Sequence, residues 1–381
     1  MLKLLEEMPG LIALEEDRAR GERLLRDLEQ GHRSWGELGS EERRLISGAL
    51  IELVRERSLS LRFDDPEGMV AFAKVGCVLA EALDEASYGG PVVADVCARA
   101  WAELGNAYRV ADDLDRAGAA FGRARDFATR GTGSPSLIAE IFYLVASYLA
   151  DRRRFGEAVE FLELLEELHL RRGELGARAR VLIKLANIRS QANEPENAIL
   201  VYLRALSLLD PGSEDRLAAV HGLAVNLVEA GHYGSAQHLL TSNRRLYRKA
   251  GKLNQLRLIW LEGKLAFGVG ELGKAEGKFN TARLAFLRVN QTFDSALVSL
   301  DLALLYIRQE RRQELVWLVD QMLGTFRTLG IAREAIASLL LLRNSCEQKR
   351  PADVLRGQIE SLARLLPELE SRRTARGRSA L

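Results

Sequence analysis

The chain has 381 residues, with 54 Lys and Arg against 53 Asp and Glu, so its formal net charge is +1. This balance makes the chain as a whole a poor electrostatic match for nucleic acid and favours protein partners. Acidic residues interrupt the apolar start, and no run of about 18 apolar residues occurs anywhere. We therefore expect a cytoplasmic protein with neither a membrane-spanning helix nor a signal peptide.

The N-terminal residues carry weak helical patterns. Residues 1–46 are expected to form an N-terminal helical cap, and residues 47–97 a degenerate first helix pair. Asp65, Pro66 and Glu67 predict a helix start inside this pair, because Pro is well tolerated in the first turn. Terminal repeats of an array lose their pattern since one side must face water.

A much stronger pattern follows, in which large apolar residues alternate with small ones at fixed offsets. Its positions are Trp101, Leu104, Gly105, Tyr108, Ala117, Phe121 and Ala124. The spacing W-x2-L-G-x2-Y followed by A-x3-F-x2-A resembles the tetratricopeptide repeat (TPR) family. Because a glycine permits close approach of backbones, we predict that the two helices of this unit cross at Gly105.

The small residue of the second helix recurs along the chain. Its positions are Ala117, Ala158, Ala198, Ala236, Ala275 and Leu315, at steps of 41, 40, 38, 39 and 40 residues. We therefore assign residues 98–330 to TPR-like repeats. The step exceeds the roughly 34 residues of the usual repeat, which predicts longer helices or longer connections.

The C-terminal residues close the array. Residues 331–370 are expected to form a capping helix pair, and residues 371–381 a basic disordered tail. That tail is interpreted as solvated and not as a nucleic-acid-binding arm.

The resemblance implies an all-α fold: a right-handed α-solenoid of TPR-like helix pairs with degenerate terminal caps. Two features of the sequence agree with it. Alternating β patterns are missing, and no Pro-, Gly- or Ser-rich linker divides the chain into separate domains. Only nine of the 54 basic residues are Lys, a bias that suggests a GC-rich bacterial genome.

One segment imitates a nucleotide-binding loop. Residues 268–274 read Gly-Val-Gly-Glu-Leu-Gly-Lys, which fits G-x-G-x-x-G and most of G-x-x-x-x-G-K-[ST]. A P-loop follows a strand and needs a hydroxyl after its Lys, whereas a helix precedes this segment and Ala275 follows it. We interpret the segment as a turn between paired helices and expect no cofactor.

Other catalytic patterns are weaker. Cys77, Cys97 and Cys346 lie in helical segments without metal-ligand spacing, which predicts burial. The five histidines form no zinc motif, and Asp112, Asp113 and Asp115 are typical of helix capping. We expect no metal site and no enzyme.

In a TPR array the first helix of each pair lines the concave face, so residues beside its buried stripe are candidates for binding a partner. They are Asn106, Arg109, Tyr143, Ser147, Arg180, Ile183, Asn187, His221, Trp260, Lys264 and Phe267. Asn106 and Asn187 match the Asn of TPR domains that clamp a peptide carboxylate, although the accompanying Lys pattern is incomplete.

Trp260 is the first candidate for a hot spot, because it lies outside the apolar stripe with Lys264 one turn later. The alternative is that Trp260 packs between adjacent repeats. In the next repeat Leu300, Leu304 and Ile307 form an apolar patch, which is either covered by the C-terminal pair or a docking site.

Three functions compete as explanations of such an array, and the third fails. The first is a scaffold or adaptor that binds a peptide or helix of another protein on its concave face. The second is a regulatory subunit of a bacterial signalling, transcription or defence system, acting in trans on a sigma factor, a helix-turn-helix regulator or a protease. The third, RNA binding, requires recurring polar side chains at fixed offsets, and the groove positions do not repeat. Homo-oligomerisation is possible but not indicated by the sequence.

Overall fold

The computed structural model describes residues 22, 23, 26, 48–62, 65–328 and 333–376. From Gly48 onward the described residues form eighteen helices and no strand, which confirms the all-α prediction. The cap predicted for residues 1–46 lies outside the described residues, apart from three positions that are helical. Across the described ranges, no helix is both long and apolar enough to span a bilayer.

The chain folds as two compact units, with the boundary between Phe161 and Leu162. Unit 1 denotes the described residues up to Phe161, and unit 2 denotes Leu162–Arg373. The helices before the boundary are α1 (Gly48–Ser60), α2 (Pro66–Glu81), α3 (Glu85–Tyr88), α4 (Gly90–Val110), α5 (Leu114–Ala128) and α6 (Pro135–Asp151). Helix α7 (Phe155–Arg171) contains the boundary.

The helices that follow α7 continue the same alternation. They are α8 (Leu175–Gln191), α9 (Pro195–Leu208), α10 (Asp215–Glu229), α11 (Tyr233–Ser242), α12 (Arg244–Lys249), α13 (Lys252–Gly268), α14 (Leu272–Arg288), α15 (Thr292–Arg308), α16 (Arg312–Thr328), α17 (Arg333–Glu347) and α18 (Ala352–Arg376). Many of them have 17 residues, which accounts for the long repeat predicted from the 40-residue step.

Helices that are consecutive in sequence pack as pairs. In unit 1, α1 packs on α2 and α4 on α5; in unit 2, α8 packs on α9 and α13 on α14. First helices of successive pairs are also in contact: α4 contacts α6, and α8 contacts α10. This sequential packing of pairs is the arrangement that the repeat pattern predicted.

The paired helices cross where a glycine faces a phenylalanine. A Cβ atom built on Gly105 would come within 3.0 Å of three ring atoms of Phe121, and one on Gly263 within 2.8 Å of Phe279. Phe121 and Phe279 are buried. Gly105 therefore lies at the predicted crossing, and the ring that fills the space left by the missing side chain belongs to Phe121.

The turns inside the pairs from α4 onward share a common geometry. A residue with positive φ ends the first helix, and the next residue donates its N–H to a carbonyl five residues earlier, as Asp113 does to Tyr108 at 2.9 Å. This six-to-one hydrogen bond is typical of a Schellman motif. Asp113 also caps α5, since its carboxylate accepts from the N–H of Arg116 at 3.1 Å, as the acidic turn predicted.

The segment that imitates a P-loop is one of these turns. Gly270 has φ of 88°, and the N–H of Glu271 donates to the carbonyl of Ala266 at 2.9 Å. A Cβ atom on Gly268 would come within 2.2 Å of the ring of Tyr233, so this glycine is needed for packing. The side chain of Lys274 pairs with Glu271 at 2.9 Å.

Two regions differ from a regular array. The helix after α10 is broken into α11 and α12 at Asn243, whose side chain donates to the carbonyl of Leu239 at 2.9 Å and competes with the helical hydrogen bonds. At the other end, α18 continues to Arg376, well into the segment 371–381 predicted to be disordered. Residues 377–381 lie outside the described residues. The proposed domain limits themselves stay predictions.

Gly105→Leu is expected to destabilise unit 1, because the added side chain must displace the ring of Phe121 from a filled position. Overpacking of this kind costs about 1–3 kcal/mol. Urea unfolding followed by circular dichroism measures the loss. Gly122→Leu on α5 is the matched control, since its Cβ atom would meet nothing within 4 Å. Equal stability of the two variants would contradict the crossing at Gly105.

Candidate functional site

The predicted binding residues lie on α4, α6, α8, α10 and α13, the first helices of their pairs. We call the surface formed by these helices and α15 the first-helix face, and treat its parts in unit 1 and unit 2 separately. On this face the spacing of the repeat places side chains of neighbouring first helices about 40 residues apart in sequence within hydrogen-bonding distance.

In unit 1 a guanidinium joins α4 to α6. Arg109 donates to the carboxylate of Asp151 at 2.8 Å and to the side-chain oxygen of Asn106 at 2.9 Å. Asn106 is only 3% exposed. Asn106 was expected to be open to a partner, but its side chain is instead buried and holds Arg109 in position.

Two further predicted residues of unit 1 lie on α6. Ser147 is buried, and its hydroxyl donates to the carbonyl of Tyr143 at 3.2 Å, one helical turn earlier. Tyr143 is half-buried. Burial thus removes Ser147, like Asn106, from the surface available to a partner and leaves Tyr143 and Arg109 at its edge.

In unit 2 the predicted residues of α8 divide in the same way. Ile183 is buried, contrary to the expected exposure, whereas Arg180 is exposed and lies 3.8 Å from Asp215 on α10. Asn187 is exposed, and its side-chain oxygen accepts a hydrogen bond from the hydroxyl of Tyr202 at 2.5 Å. Asn187 can therefore still donate its NH₂ group to a partner.

A buried tyrosine contacts His221 on α10. Its Nδ1 lies 3.2 Å from the hydroxyl of Tyr247, which is buried. Burial lowers the pKa of His221 to about 4, and the positive charges of Arg257 and Lys264 act in the same direction. The imidazole is consequently neutral at physiological pH and acts as a polar, uncharged part of the face.

Trp260 is anchored to the next first helix. Its indole N–H donates to a carboxylate oxygen of Asp301 on α15 at 2.6 Å, and its ring meets that of Phe286 edge-on at 6.2 Å. The ammonium of Lys264 lies 5.5 Å from the ring centroid and 4.0 Å from Asp301. Trp260 therefore packs between repeats on one side and remains partly exposed on the other.

Phe267 lies at the end of α13 under another cation from α15. The guanidinium of Arg308 is 5.3 Å from its ring centroid and donates to its carbonyl oxygen at 3.1 Å. The apolar patch of the next repeat is largely covered, since Leu300 and Ile307 are buried and only Leu304 is half-exposed. On the first-helix face of unit 2, the partly exposed aromatic side chains Trp260 and Phe267 both lie on α13.

Known structures share this architecture. The apo form of RapI is 11% identical with a TM-score of 0.60, and the alignment covers 97% of this chain and 98% of RapI. A signal-transduction ATPase from Pyrococcus horikoshii, described as having a tetratricopeptide repeat sensor, is 12% identical with a TM-score of 0.53, over 93% of this chain and 54% of the ATPase. The chain is a TPR-like repeat protein.

Two further comparisons concern the same TPR-like fold. A Rap protein complexed with Competence and Sporulation Factor is 15% identical with a TM-score of 0.57, over 86% of this chain and 96% of the Rap protein. The family model of soluble NSF attachment protein, SNAP, matches residues 93–255. No curated protein matches the sequence.

Charged residues that the repeat pattern did not single out complete the face of this TPR-like protein in unit 2. Glu229, Arg257 and Asp294 make no hydrogen bond or ion pair through their side chains within the described residues. Burial raises the pKa of Glu229, and the positive charge of Lys264 lowers it. Burial likewise raises the pKa of Asp294, which the positive charge of Arg257 lowers. The sequence gives one indication that Asp301 is special. It occupies the repeat position that Leu261 has in the preceding repeat, so a carboxylate stands where an apolar residue is expected.

The cysteines of the described residues are buried and unactivated. Burial raises the pKa of Cys77 to about 12 and that of Cys97 to about 11, and both thiols stay protonated and unreactive. All three cysteines are free and buried, as predicted. No cluster of three or more potential metal ligands occurs in the described part of the chain.

His221 is expected to make stability depend on pH. Its pKa in the folded state is about 4, whereas an unfolded histidine titrates near about 6.5. Between these values the unfolded state binds more protons, so the free energy of unfolding decreases as the pH falls from about 6.5 towards about 4.

Urea midpoints of the wild type and of His221→Asn, measured between pH 7 and pH 4.5, test this. The variant should lose less stability than the wild type over that range, because carboxylates contribute equally to both. Equal changes of the urea midpoint with pH in the two proteins would show that His221 is not held neutral.

Proposed function

We propose that this TPR-like protein is a non-catalytic interaction module that binds a peptide or helix of a partner protein on the first-helix face of unit 2. The observation that carries the proposal is the partly exposed indole of Trp260, fixed by its hydrogen bond to Asp301. Trp is among the residues that contribute most to binding at protein interfaces.

The anchoring of Trp260 supports a binding role. A side chain that is already fixed loses little conformational entropy when a partner covers it. The hydrogen bond to Asp301 and the edge-on contact with Phe286 fix one edge of the ring, while Lys264 lies over one of its faces. The residue is thus prepared for contact with an apolar or aromatic group.

The charges around Trp260 indicate what the partner segment contains. Arg257 offers a cation, and Glu229 and Asp294 offer carboxylates. None of them makes a side-chain hydrogen bond or ion pair within the described residues, although Arg257 acts electrostatically on Asp294 and Lys264 on Glu229. A partner that presents an apolar side chain between groups of both signs would complement these charges, and the partial burial of Arg257 and Asp294 would strengthen the interaction. Asn187 supplies further hydrogen-bonding capacity on the same unit.

A regulatory role in a bacterial system, acting in trans on an effector, is the alternative. It is supported by the extent of the likeness to Rap proteins, one of which was crystallised with Competence and Sporulation Factor. Identity of 11–15% carries the fold alone, so the ligand of that protein is transferred here only as a hypothesis. Both functions use the same face, and they differ in whether the bound protein is an effector.

Trp260→Ala is expected to weaken binding of the native partner at least about tenfold, as loss of a hot spot does. The measurement is a quantitative pull-down of the tagged full chain from its host, followed by titration of the recovered partner. Lys264→Ala provides a milder change on the same surface, and Asn187→Ala tests the neighbouring amide.

Trp317→Ala is the matched control, because this indole is 54% exposed on α16, a second helix. It should leave binding unchanged. Equal retention of the partner by the Trp260, Lys264 and Asn187 variants would rule out the first-helix face of unit 2. Circular dichroism confirms that each variant is folded.

A further inference from the structure

Unit 2 carries a surface that the proposed function does not use, formed by second helices of its pairs. Three of these helices are α7, α9 and α11, the last of which is followed directly by α12. Arg204 of α9 donates to Glu166 of α7, and His232, which precedes α11, lies 3.0 Å from Glu196 of α9. The helices are therefore neighbours in this order. We call the surface made by their exposed side chains the second-helix face.

The α7 end of the second-helix face is acidic, since this helix contains five Glu and one Arg. Glu163 and Glu167 are exposed and lie one turn apart, on the same side of the helix as Leu164, which is 62% exposed. Each carboxylate has one arginine partner, Arg189 at 3.0 Å and Arg171 at 2.7 Å respectively. Because a carboxylate accepts several hydrogen bonds, both can still pair with a cation of a partner.

The middle of the face is apolar. Leu200 and Leu203 on α9 lie one turn apart and are 61% and 51% exposed. Glu163 and Leu203 both follow the small residue of their helix by five positions, so the stacking of equivalent helices places them on the same side of the array. Exposed apolar side chains that are grouped inside a polar rim are typical of an interaction site.

The α12 end of the face is basic. Residues 230–261 contain six Lys and Arg and no Asp or Glu. Arg245, Arg248 and Lys249 are exposed on one side of α12, and their side chains make no hydrogen bond or ion pair within the described residues. The buried ring of Tyr247 fixes the other side of this short helix. Three uncompensated cations are thus held together at this end.

We propose that the second-helix face binds a second copy of this chain, through a two-fold axis that passes between the α9 helices of the two copies. Along the face the order is acidic, apolar and basic, with one repeat from each zone to the next. A two-fold rotation about the apolar zone exchanges the other two, so that α7 of each copy meets α12 of the other and leucines meet leucines. Such a surface is self-complementary, as a closed two-fold dimer requires. An apolar centre with a charged rim is also the usual composition of a protein interface.

Other occupants fit this face less well. Nucleic acid or an anionic lipid surface would meet the cations of α12, but its negative charges would also meet Glu163 and Glu167. A short acidic peptide would pair with α12 alone and leave the leucines of α9 uncovered. A second copy of the chain complements all three zones at once.

Sedimentation equilibrium of the full chain tests the proposal. We expect a monomer–dimer equilibrium without larger species, because the contact closes on itself. Raising the salt concentration from about 50 mM to about 500 mM should weaken dimerisation at least about tenfold, since exposed charge pairs are screened. A chain that stays monomeric up to about 100 μM, or that forms species larger than two copies, would overturn the proposal.

Two charge-reversed variants test the pairing of α7 with α12. The double variant Arg245→Glu, Arg248→Glu and the double variant Glu163→Lys, Glu167→Lys should each be monomeric, because like charges then meet at both contacts. Mixed in equal amounts, the two variants should form a heterodimer at least about tenfold more stable than either homodimer, because opposite charges meet again at both contacts. A mixture that stays monomeric would contradict the arrangement.

Leu203→Lys keeps the test open if the α7 variant does not fold. The substitution lies on an exposed position and brings two like charges together at the axis, so dimerisation should be lost. The double variant Arg356→Glu, Arg364→Glu is the matched control, because it makes the same change of charge at exposed positions of α18. It should dimerise like the wild type, and circular dichroism confirms that each variant is folded.

The test also separates this face from the partner-binding face. Trp260→Ala should leave dimerisation unchanged, and the charge-reversed variants should retain the native partner. A chain that stays monomeric but binds a poly-Glu peptide through α12 would overturn the dimer and assign the basic zone to an acidic partner.

Discussion

The close crossing of the two helices in each pair is the constraint on which the rest of the structure depends. A small residue on the first helix meets a bulky residue on the second, as Gly105 meets Phe121 and Gly263 meets Phe279. At the same spacing, Ala303 and Val319 are also fully buried. Because protein interiors are close-packed, each such contact sets the separation and register of its pair with little tolerance.

The register of the pairs decides which polar groups of successive first helices meet. In unit 1 Arg109 reaches Asp151, and in unit 2 Trp260 reaches Asp301. These bonds join side chains from neighbouring repeats and stiffen the first-helix face without closing it. The partly exposed indole of Trp260 and the charges of unit 2 that form no ion pair are consequences of this arrangement, and they make that part of the face the best candidate for binding a partner.

A cavity of unit 1 among α1, α2 and α4 has a related origin. Gly76 on α2, in the degenerate first pair, and Ala100 on α4 are small residues in its wall. The same rule of small against large therefore produces a tight crossing where it is obeyed and a cavity where it is not.

The amino-acid sequence alone determined the repeat, its 40-residue period, the turns and the burial of the cysteines. These features depend on local spacing, since an apolar stripe and a small residue at fixed offsets mark a helix pair wherever they occur. The G-x-G-x-x-G segment was identified as a turn for the same reason. The position of Trp260 beside the apolar stripe also marked it as a candidate binding residue.

Only the tertiary structure decided which side chains beside the stripe remain exposed. Asn106, Ser147 and Ile183 occupy the same kind of position as Trp260 but are buried. Asp301 acquires its importance from its contact with Trp260, a partner far away in sequence. Exposure and pairing depend on three-dimensional neighbours, whereas the helix pairs themselves are encoded within single repeats.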